Sequence, residues 1–310
     1  MKRNLFDLMM IAVIIIAAFT ACTVTGTLND DSDPPIPTGK KMTLVSNKQG
    51  NVRLEFSGSG KITIDWGDES ENETFDNSGN TSRSHHYASG DSRTITIYGE
   101  NIMRLSFPNS QVTSMDISEN DALTQLDCND NQLKTLNVNK NTALIKMDCC
   151  NNQLTALDVS KNTALKDLFC SGNQIVELDM KNNTNLTQLN CSNNKLKELD
   201  ISKNTKIISL LCNNNLIEGE LNTDSNVDLK ILNCGDNKIT GMNMTKNTKL
   251  ETLFCSKNEM EATELTTLLG SLHDNGITGV SKEVYIQNNP GTATCGNKDV
   301  AANNGWTVID

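Results

Sequence analysis

Residues 123–143 read LTQLDCNDNQLKTLNVNKNTA, and this pattern occurs seven times in succession up to Asn258, almost always after 21 residues. Its anchors are Cys128, Cys149, Cys170, Cys191, Cys212, Cys234 and Cys255, spaced by 21 except for one step of 22. Three residues after each stands an asparagine: Asn131, Asn152, Asn173, Asn194, Asn215, Asn237 and Asn258. Self-similarity at a short fixed period marks a solenoid, whose units bury their apolar faces only by stacking on one another. The phase reaches one unit further back through Ile102, Leu105, Phe107, Val112, Met115 and Ile117, with Phe107 in place of Cys and Ser110 in place of Asn. That is the altered chemistry of a capping repeat.

In each unit the LxLxC positions predict a short parallel strand. The asparagine turns the chain inward, where its amide can satisfy backbone groups bared by the bend. A second run (LNV, LDV, LDM, LDI, MNM) predicts a brief extended segment on the opposite side, too short for a helix. The fold class is therefore mainly β, a slim solenoid with parallel strands on both sides. The extra residue near 217–221 predicts a local bulge. Seven cysteines at one repeat position suit stacked, buried thiols better than disulfides with their required torsion. Cys150 and Cys295 fall outside this ladder.

The core LxxLxCxxNxL resembles the leucine-rich repeat with cysteine at the third apolar position. The 21-residue form, with its cysteine ladder and LDVSxNT turns, resembles internalin J-type repeats of bacterial surface adhesins. The resemblance implies recognition of an extracellular protein, on a host or neighbouring cell, by a preformed strand face.

The segment before the repeats divides into three. In residues 1–21, Lys2 and Arg3 precede the apolar run Leu8 to Phe19, which reads as a secretion signal. Ala21 before Cys22 resembles a bacterial lipobox, which implies lipidation at Cys22. Thr23 after it implies the outer membrane. Residues 22–39 are polar and broken by Pro34, Pro35 and Pro37, and read as a tether. Its Asp30, Asp31 and Asp33 resemble the acidic export signals of Bacteroides-type surface lipoproteins. Residues 40–100 alternate in short runs (MTLV, NVRLEF, KITIDWG, RTITIYG) that predict a small β-sandwich. Asp65, Trp66, Gly67 and Asp68, then His86, Tyr87 and Gly90, resemble the PKD-type immunoglobulin-like fold. Trp66 then belongs to the core, Asp68 caps a turn, and His86 and Tyr87 close the opposite end.

The solenoid occupies residues 101–260 and a terminal cap residues 261–310. Leu265, Leu268, Leu269 and Leu272 recur at helical spacing. Strands are expected at 284–286 and 306–309, with a short helix near 299–302. The end (NPGT…GWTV) resembles that of Bacteroides-type repeat lipoproteins.

The net charge of −11, with no basic stripe, disfavours nucleic acid as a partner. The chain has three histidines and none of the nucleophile-elbow, P-loop, zincin or dinucleotide motifs, so no enzymatic chemistry and no cofactor is expected. Asp158, Asp179 and Asp200 share one back-face repeat position. They read as a solvated charged edge, with a Ca²⁺ column as the sharper alternative. Asp65, Asp68 and the His85–His86 pair are the other metal candidates.

The strand face is the better site. The residue before each cysteine is Asp127, Asp148, Phe169, Asn190, Leu211, Asn233 or Phe254, so apolar residues recur at alternate repeats where solvent is expected. Ile231 joins them from the neighbouring column, and Gln125, Lys146, Asp167, Gln188, Asn213 and Ser256 surround them. An apolar strip with a polar rim is the form of a binding surface. A protein would be anchored by Phe169, Leu211 and Phe254; a glycan, captured for nutrient uptake, would use ring stacking with the Asn and Asp side chains. A third reading is an architectural spacer, with the apolar residues merely covering their small neighbours.

Overall fold

The computed structural model of the chain describes residues 37–274, 276 and 281–310. The signal segment 1–21, Cys22, and the tether up to residue 36 lie outside the described residues.

The chain from Lys40 begins with six strands: β1 (Lys40–Ser46), β2 (Gly50–Asp65), β3 (Glu73–Asp76), β4 (Gly79–Tyr87), β5 (Arg93–Ser106) and β6 (Val112–Asp116). They pair antiparallel, β2 with β3, β4 and β5, and β1 with β5 and β6. NVRLEF and the KITID of KITIDWG, two runs in the sequence, belong to the single strand β2. Its pairing with β5 shifts register around Gly58. Gly58 has φ +140°, and a Cβ there would lie 1.9 Å from the Asn101 carbonyl oxygen, so only glycine fits the bend. The bend brings the two ends of β2 together. Tyr87, paired with Gly50 at the start of the strand, donates from its hydroxyl to the Trp66 carbonyl at 2.7 Å. Trp66 is a core residue, as expected, and Tyr87 is buried beside it rather than closing the opposite end.

β5 carries the chain into the solenoid. Its Arg104, Leu105 and Ser106 pair in parallel with Gln125, Leu126 and Asp127 of β7 (Gln125–Asp127). The sheet continues through β8 (Lys146–Asp148), β9 (Asp167–Phe169), β10 (Gln188–Asn190), β11 (Ser209–Leu211), β13 (Ile231–Asn233) and β15 (Thr252–Phe254). It then runs on through β16 (Lys282–Tyr285) and β17 (Trp306–Ile309), giving ten strands in order with β5. The two remaining strands, β12 (Glu218–Glu220) and β14 (Lys238–Gly241), pair on the back with a register shift at Gly219 and Glu220 that leaves Thr240 of β14 unpaired. The other second runs, expected to pair in parallel, form no ladder of their own. The helices are α1 (Ala262–Ser271), which buries Leu265, Leu268 and Leu269, and α2 (Lys298–Asn303).

Interior side chains stack in columns. Leu126, Met147, Leu168, Leu189, Leu210, Leu232 and Leu253 form one, and the seven cysteines the next, all buried. Phe107 heads the cysteine column, fully buried, and the Ser110 N–H donates to Asn131 Oδ1 at 3.1 Å. The repeat asparagines knit neighbouring turns. Asn152 accepts from the Leu133 N–H at 2.9 Å and donates to the carbonyls of Cys128, Cys149 and Cys150 at 3.0–3.2 Å. One side chain thus closes its own turn and that of the unit before. A second buried column, Asn120, Asn141, Asn162, Asn183, Asn204, Asn226 and Asn247, ties neighbouring units at the opposite corner through Nδ2 alone: Asn247 Oδ1 accepts from the Thr223 hydroxyl at 2.8 Å, and the other six Oδ1 atoms are buried without a partner among the described residues. Asn162 donates to the Val138 and Asn141 carbonyls at 3.0 and 2.9 Å.

The corner two residues beyond each cysteine takes a left-handed backbone, φ 52–54° at Asp130, Asn151, Asn193, Asn214, Asp236 and Lys257, and 69° at Gly172. Asn, Asp and Gly tolerate that conformation, which explains the composition of the turn. Lys257 is the exception.

Candidate functional site

The register of the sheet fixes two rows on its outer face. The first runs Asp127, Asp148, Phe169, Asn190, Leu211, Asn233 and Phe254, each opposite the next on adjacent strands, all half-buried. The second runs Gln125, Lys146, Asp167, Gln188, Ser209, Ile231 and Thr252. Ile231 is 38% exposed, so the sequence-derived strip lies on one continuous face.

Phe169, Leu211 and Phe254 sit two strands apart, with Asn190 and Asn233 between them. The polar members of the row are tied to their own strand ends. Asp148 Oδ1 accepts from the Cys150 N–H at 3.0 Å, Asn190 Oδ1 from the Ser192 N–H at 3.2 Å, and Asn233 Oδ1 from the Gly235 N–H at 3.3 Å. Asp127 accepts from the Asn129 amide at 2.6 Å and from the Ser106 hydroxyl at 3.1 Å. These bonds leave each Asn Nδ2 without a partner among the described residues. Lys146 Nζ stands 5.5 Å from the Phe169 ring centroid, a cation–π contact at the rim.

The row also extends where the 21-residue period does not. Tyr285 of β16 lies opposite Phe254, and Ile309 of β17 opposite Tyr285. The Phe254 and Tyr285 rings stack, and the Tyr285 hydroxyl donates to Glu283 at 2.8 Å. A signal for this unit exists in VYIQNN, which repeats the LFCSKN spacing with Ile286 for cysteine and Asn289 for the ladder asparagine. Asn289 Nδ2 indeed donates to the Cys255 and Ile286 carbonyls at 3.0 and 2.8 Å.

The cysteines face inward, away from this surface. Burial pushes every ladder thiol up, to about 12 at Cys191 and Cys255. Cys149 Sγ donates to the Phe169 carbonyl at 3.5 Å and Cys255 Sγ to that of Tyr285 at 3.2 Å. Cys150 is half-buried on the strand-face side, and burial beside Asp148 raises it to about 12 as well.

On the back, Asp158, Asp179 and Asp200 cap their own turns, accepting from the N–H groups of Ser160, Lys181 and Ser202 at 2.9–3.0 Å. Side-chain hydrogen bonds from Ser160 and Lys181, ahead of these backbone bonds, hold Asp158 and Asp179 below the usual carboxylate range, and the backbone bond does so first at Asp200. In the N-terminal sheet Asp65 caps the Gly67 N–H at 2.8 Å. His85 bonds Asp68 at 2.6 Å and His86 bonds Asn51 at 3.0 Å, so the two histidines serve separate partners.

No protein-family model matches the chain, and no curated protein does. Several solved structures resemble it. The functional domain of InlJ from Listeria monocytogenes, which includes a cysteine ladder, is 26% identical over 64% of this chain and 52% of its own, with a TM-score of 0.35. A leucine-rich-repeat protein of Leptospira interrogans is 17% identical over 63% of this chain and 56% of its own, with a TM-score of 0.48. Internalin C2 of Listeria monocytogenes is 18% identical over 72% and 88%, with a TM-score of 0.44. The chain thus spans about half the length of the first two. Its own register, columns and turns make it a leucine-rich-repeat solenoid with a cysteine ladder.

Proposed function

We propose that this chain is a non-enzymatic protein-binding module, exported and lipid-anchored at Cys22, that recognises an extracellular protein through the strand face of its solenoid. The observation that carries the reading is the outer row itself, which sets Phe169, Leu211 and Phe254 half-buried at alternate strands within a polar surround. Each ring or branched side chain is a candidate anchor of the kind that dominates interface energetics. A face built on paired strands is already ordered, so binding costs little conformational entropy. The N-terminal antiparallel sheet follows the anchor segment in the chain and is read as a PKD-type module.

A glycan is the second reading, supported by the Phe254–Tyr285 pair and the unpartnered Asn190 and Asn233 amides. The test is capture of soluble protein, Lys40 to Asp310, on arrays of extracellular-matrix proteins and glycans, beside its Phe169→Ala/Phe254→Ala variant. A hit lost in the variant while it remains folded at the assay temperature supports recognition by this face and names its ligand class. A hit kept by the variant places the site elsewhere, and silence on both arrays favours a spacer.

A further inference from the structure

The spacing of the outer row constrains the shape of what lies on it. Phe169, Leu211 and Phe254 stand on β9, β11 and β15, each two strands from the next. Adjacent strands are about 4.8 Å apart, so the anchors repeat every ~9.6 Å along a line crossing the strands. A β-extended ligand repeats a face every ~6.7 Å and falls out of step at once. An α-helix returns after seven residues, or about 10.5 Å, and drifts by roughly 1.8 Å over the two intervals. A polyproline-II segment returns after three residues, or about 9.3 Å, and drifts by only ~0.6 Å.

Hydrogen-bonding capacity points the same way. Between the anchors, Asn190 and Asn233 commit Oδ1 to their own strand ends, which leaves two Nδ2 donors facing outward at the same spacing. Polyproline-II backbone has no internal hydrogen bonds, and proline removes its N–H groups, so such a ligand offers mainly carbonyl acceptors.

Charge sets one end. Beyond Phe169 the row continues into Asp148 and Asp127, with Asp167 alongside in the second row. No ion pair among the described residues reaches these three carboxylates; Arg104 is paired with Glu55 at 3.1 Å, and Lys146 lies over the Phe169 ring. A cleft of about 160 Å³ opens there, lined by Arg104, Gln125, Leu126, Asp127, Lys146 and Asp148. At the other end Tyr285 follows Phe254 without an intervening polar strand and ends the alternation.

We propose that the strand face takes an extended polyproline-II segment with an apolar residue at every third position and a basic residue at the end that overlies Asp148 and Asp127. This rests on the strand face being the recognition surface.

The experiment is a fluorescence-anisotropy titration of the full chain with a labelled peptide, Arg-Pro-Pro-Leu-Pro-Pro-Leu-Pro-Pro-Leu. The control is a peptide of the same composition with leucine at every second position. The three-residue peptide should bind, and weaken by more than about tenfold in Phe169→Ala/Phe254→Ala. In Asp127→Asn/Asp148→Asn it should weaken by up to about tenfold and lose its salt dependence. Equal binding of the permuted peptide, or no binding of either, overturns the proposal. The two readings separate by competition. An array hit that needs Phe169 and Phe254 but is not displaced by the three-residue peptide leaves the face as the site and removes the polyproline-II ligand. A hit indifferent to both phenylalanines removes the face itself.

Discussion

The rings of Phe254 and Tyr285 stack with centroids 4.4 Å apart and planes 23° apart, although helix α1 separates them in the chain. They meet because β16 resumes the parallel sheet directly beside β15, so the outer row passes unbroken from the repeats into the C-terminal segment. An offset aromatic pair contributes about 1 kcal/mol beyond the area it buries. A double-mutant cycle of Phe254→Ala and Tyr285→Ala, read by urea unfolding, should therefore give a coupling near ~1 kcal/mol. Additive effects would mean that the rings do not pack.

The asparagine column should be costlier to disturb than the aromatic row. Asn194 accepts from the Ile175 N–H and donates to the carbonyls of Cys170, Cys191 and Ser192, all at 3.0–3.1 Å and mostly in the buried interior. Asn194→Ala leaves several of these groups without partners, each at a cost of ~1–3 kcal/mol if water cannot reach it. A loss of about 3 kcal/mol or more is expected from chemical denaturation. A loss below ~1 kcal/mol would show that water replaces the side chain.

Lys257 offers the opposite sign. It holds the left-handed corner that Asn, Asp or Gly fills in the other units, and its Nζ pairs with Asp236 at 3.0 Å on the exposed rim. Asn tolerates that backbone better, and an exposed ion pair is worth little. Lys257→Asn should stabilise by about 0.5–1 kcal/mol, raising the thermal midpoint. A lowered midpoint would mean that the ion pair outweighs the backbone strain.

The thiol ladder makes stability depend on alkaline pH. An unfolded thiol ionises near its ordinary value of 9.0, whereas burial raises Cys191 and Cys255 to about 12 in the folded chain. Between those values the unfolded chain binds fewer protons, so this contribution is complete below pH 9 and is lost as pH rises towards 12. The urea midpoint should fall across that window, and fall less steeply in Cys191→Ala/Cys255→Ala relative to its own neutral value. An equal slope in both proteins would assign the effect to other groups. For the same reason the ladder thiols should react with a thiol reagent at neutral pH only as the chain unfolds.

The solenoid was legible in the sequence because buried stacking demands one residue type at one position. Cys128 to Cys255 gave the strands, the register and the inward column, and Phe107 and Ser110 gave the cap. The bulge expected near 217–221 surfaced as a register shift at Gly219 and Glu220, with Thr240 of the facing strand as the skipped residue. The Tyr285 unit escaped the period because α1 lengthens the step from Cys255 to Ile286. The column from Asn120 to Asn247 escaped because KNT turns read as polar surface, and only the packed corner shows their amides turned inward. In the N-terminal sheet, alternation predicted strands but not their lengths. Nothing local announces that Gly58 bends one long β2 until the Tyr87 hydroxyl reaches Trp66. The strand-face row was readable residue by residue, since register follows from repeat position. Its hydrogen-bond commitments, which leave the Asn190 and Asn233 amides free, were not, because they depend on the turn two residues on.

The central claim is that the outer row of the strand face recognises a partner. Its most direct test is isothermal calorimetry of the strongest array hit against the wild-type protein and Phe169→Ala/Phe254→Ala, with the thermal midpoint of each recorded alongside. Apolar anchors predict a negative heat-capacity change on binding and an affinity loss of more than about tenfold in a variant that remains folded at the assay temperature. Equal affinity in the two proteins would contradict the claim.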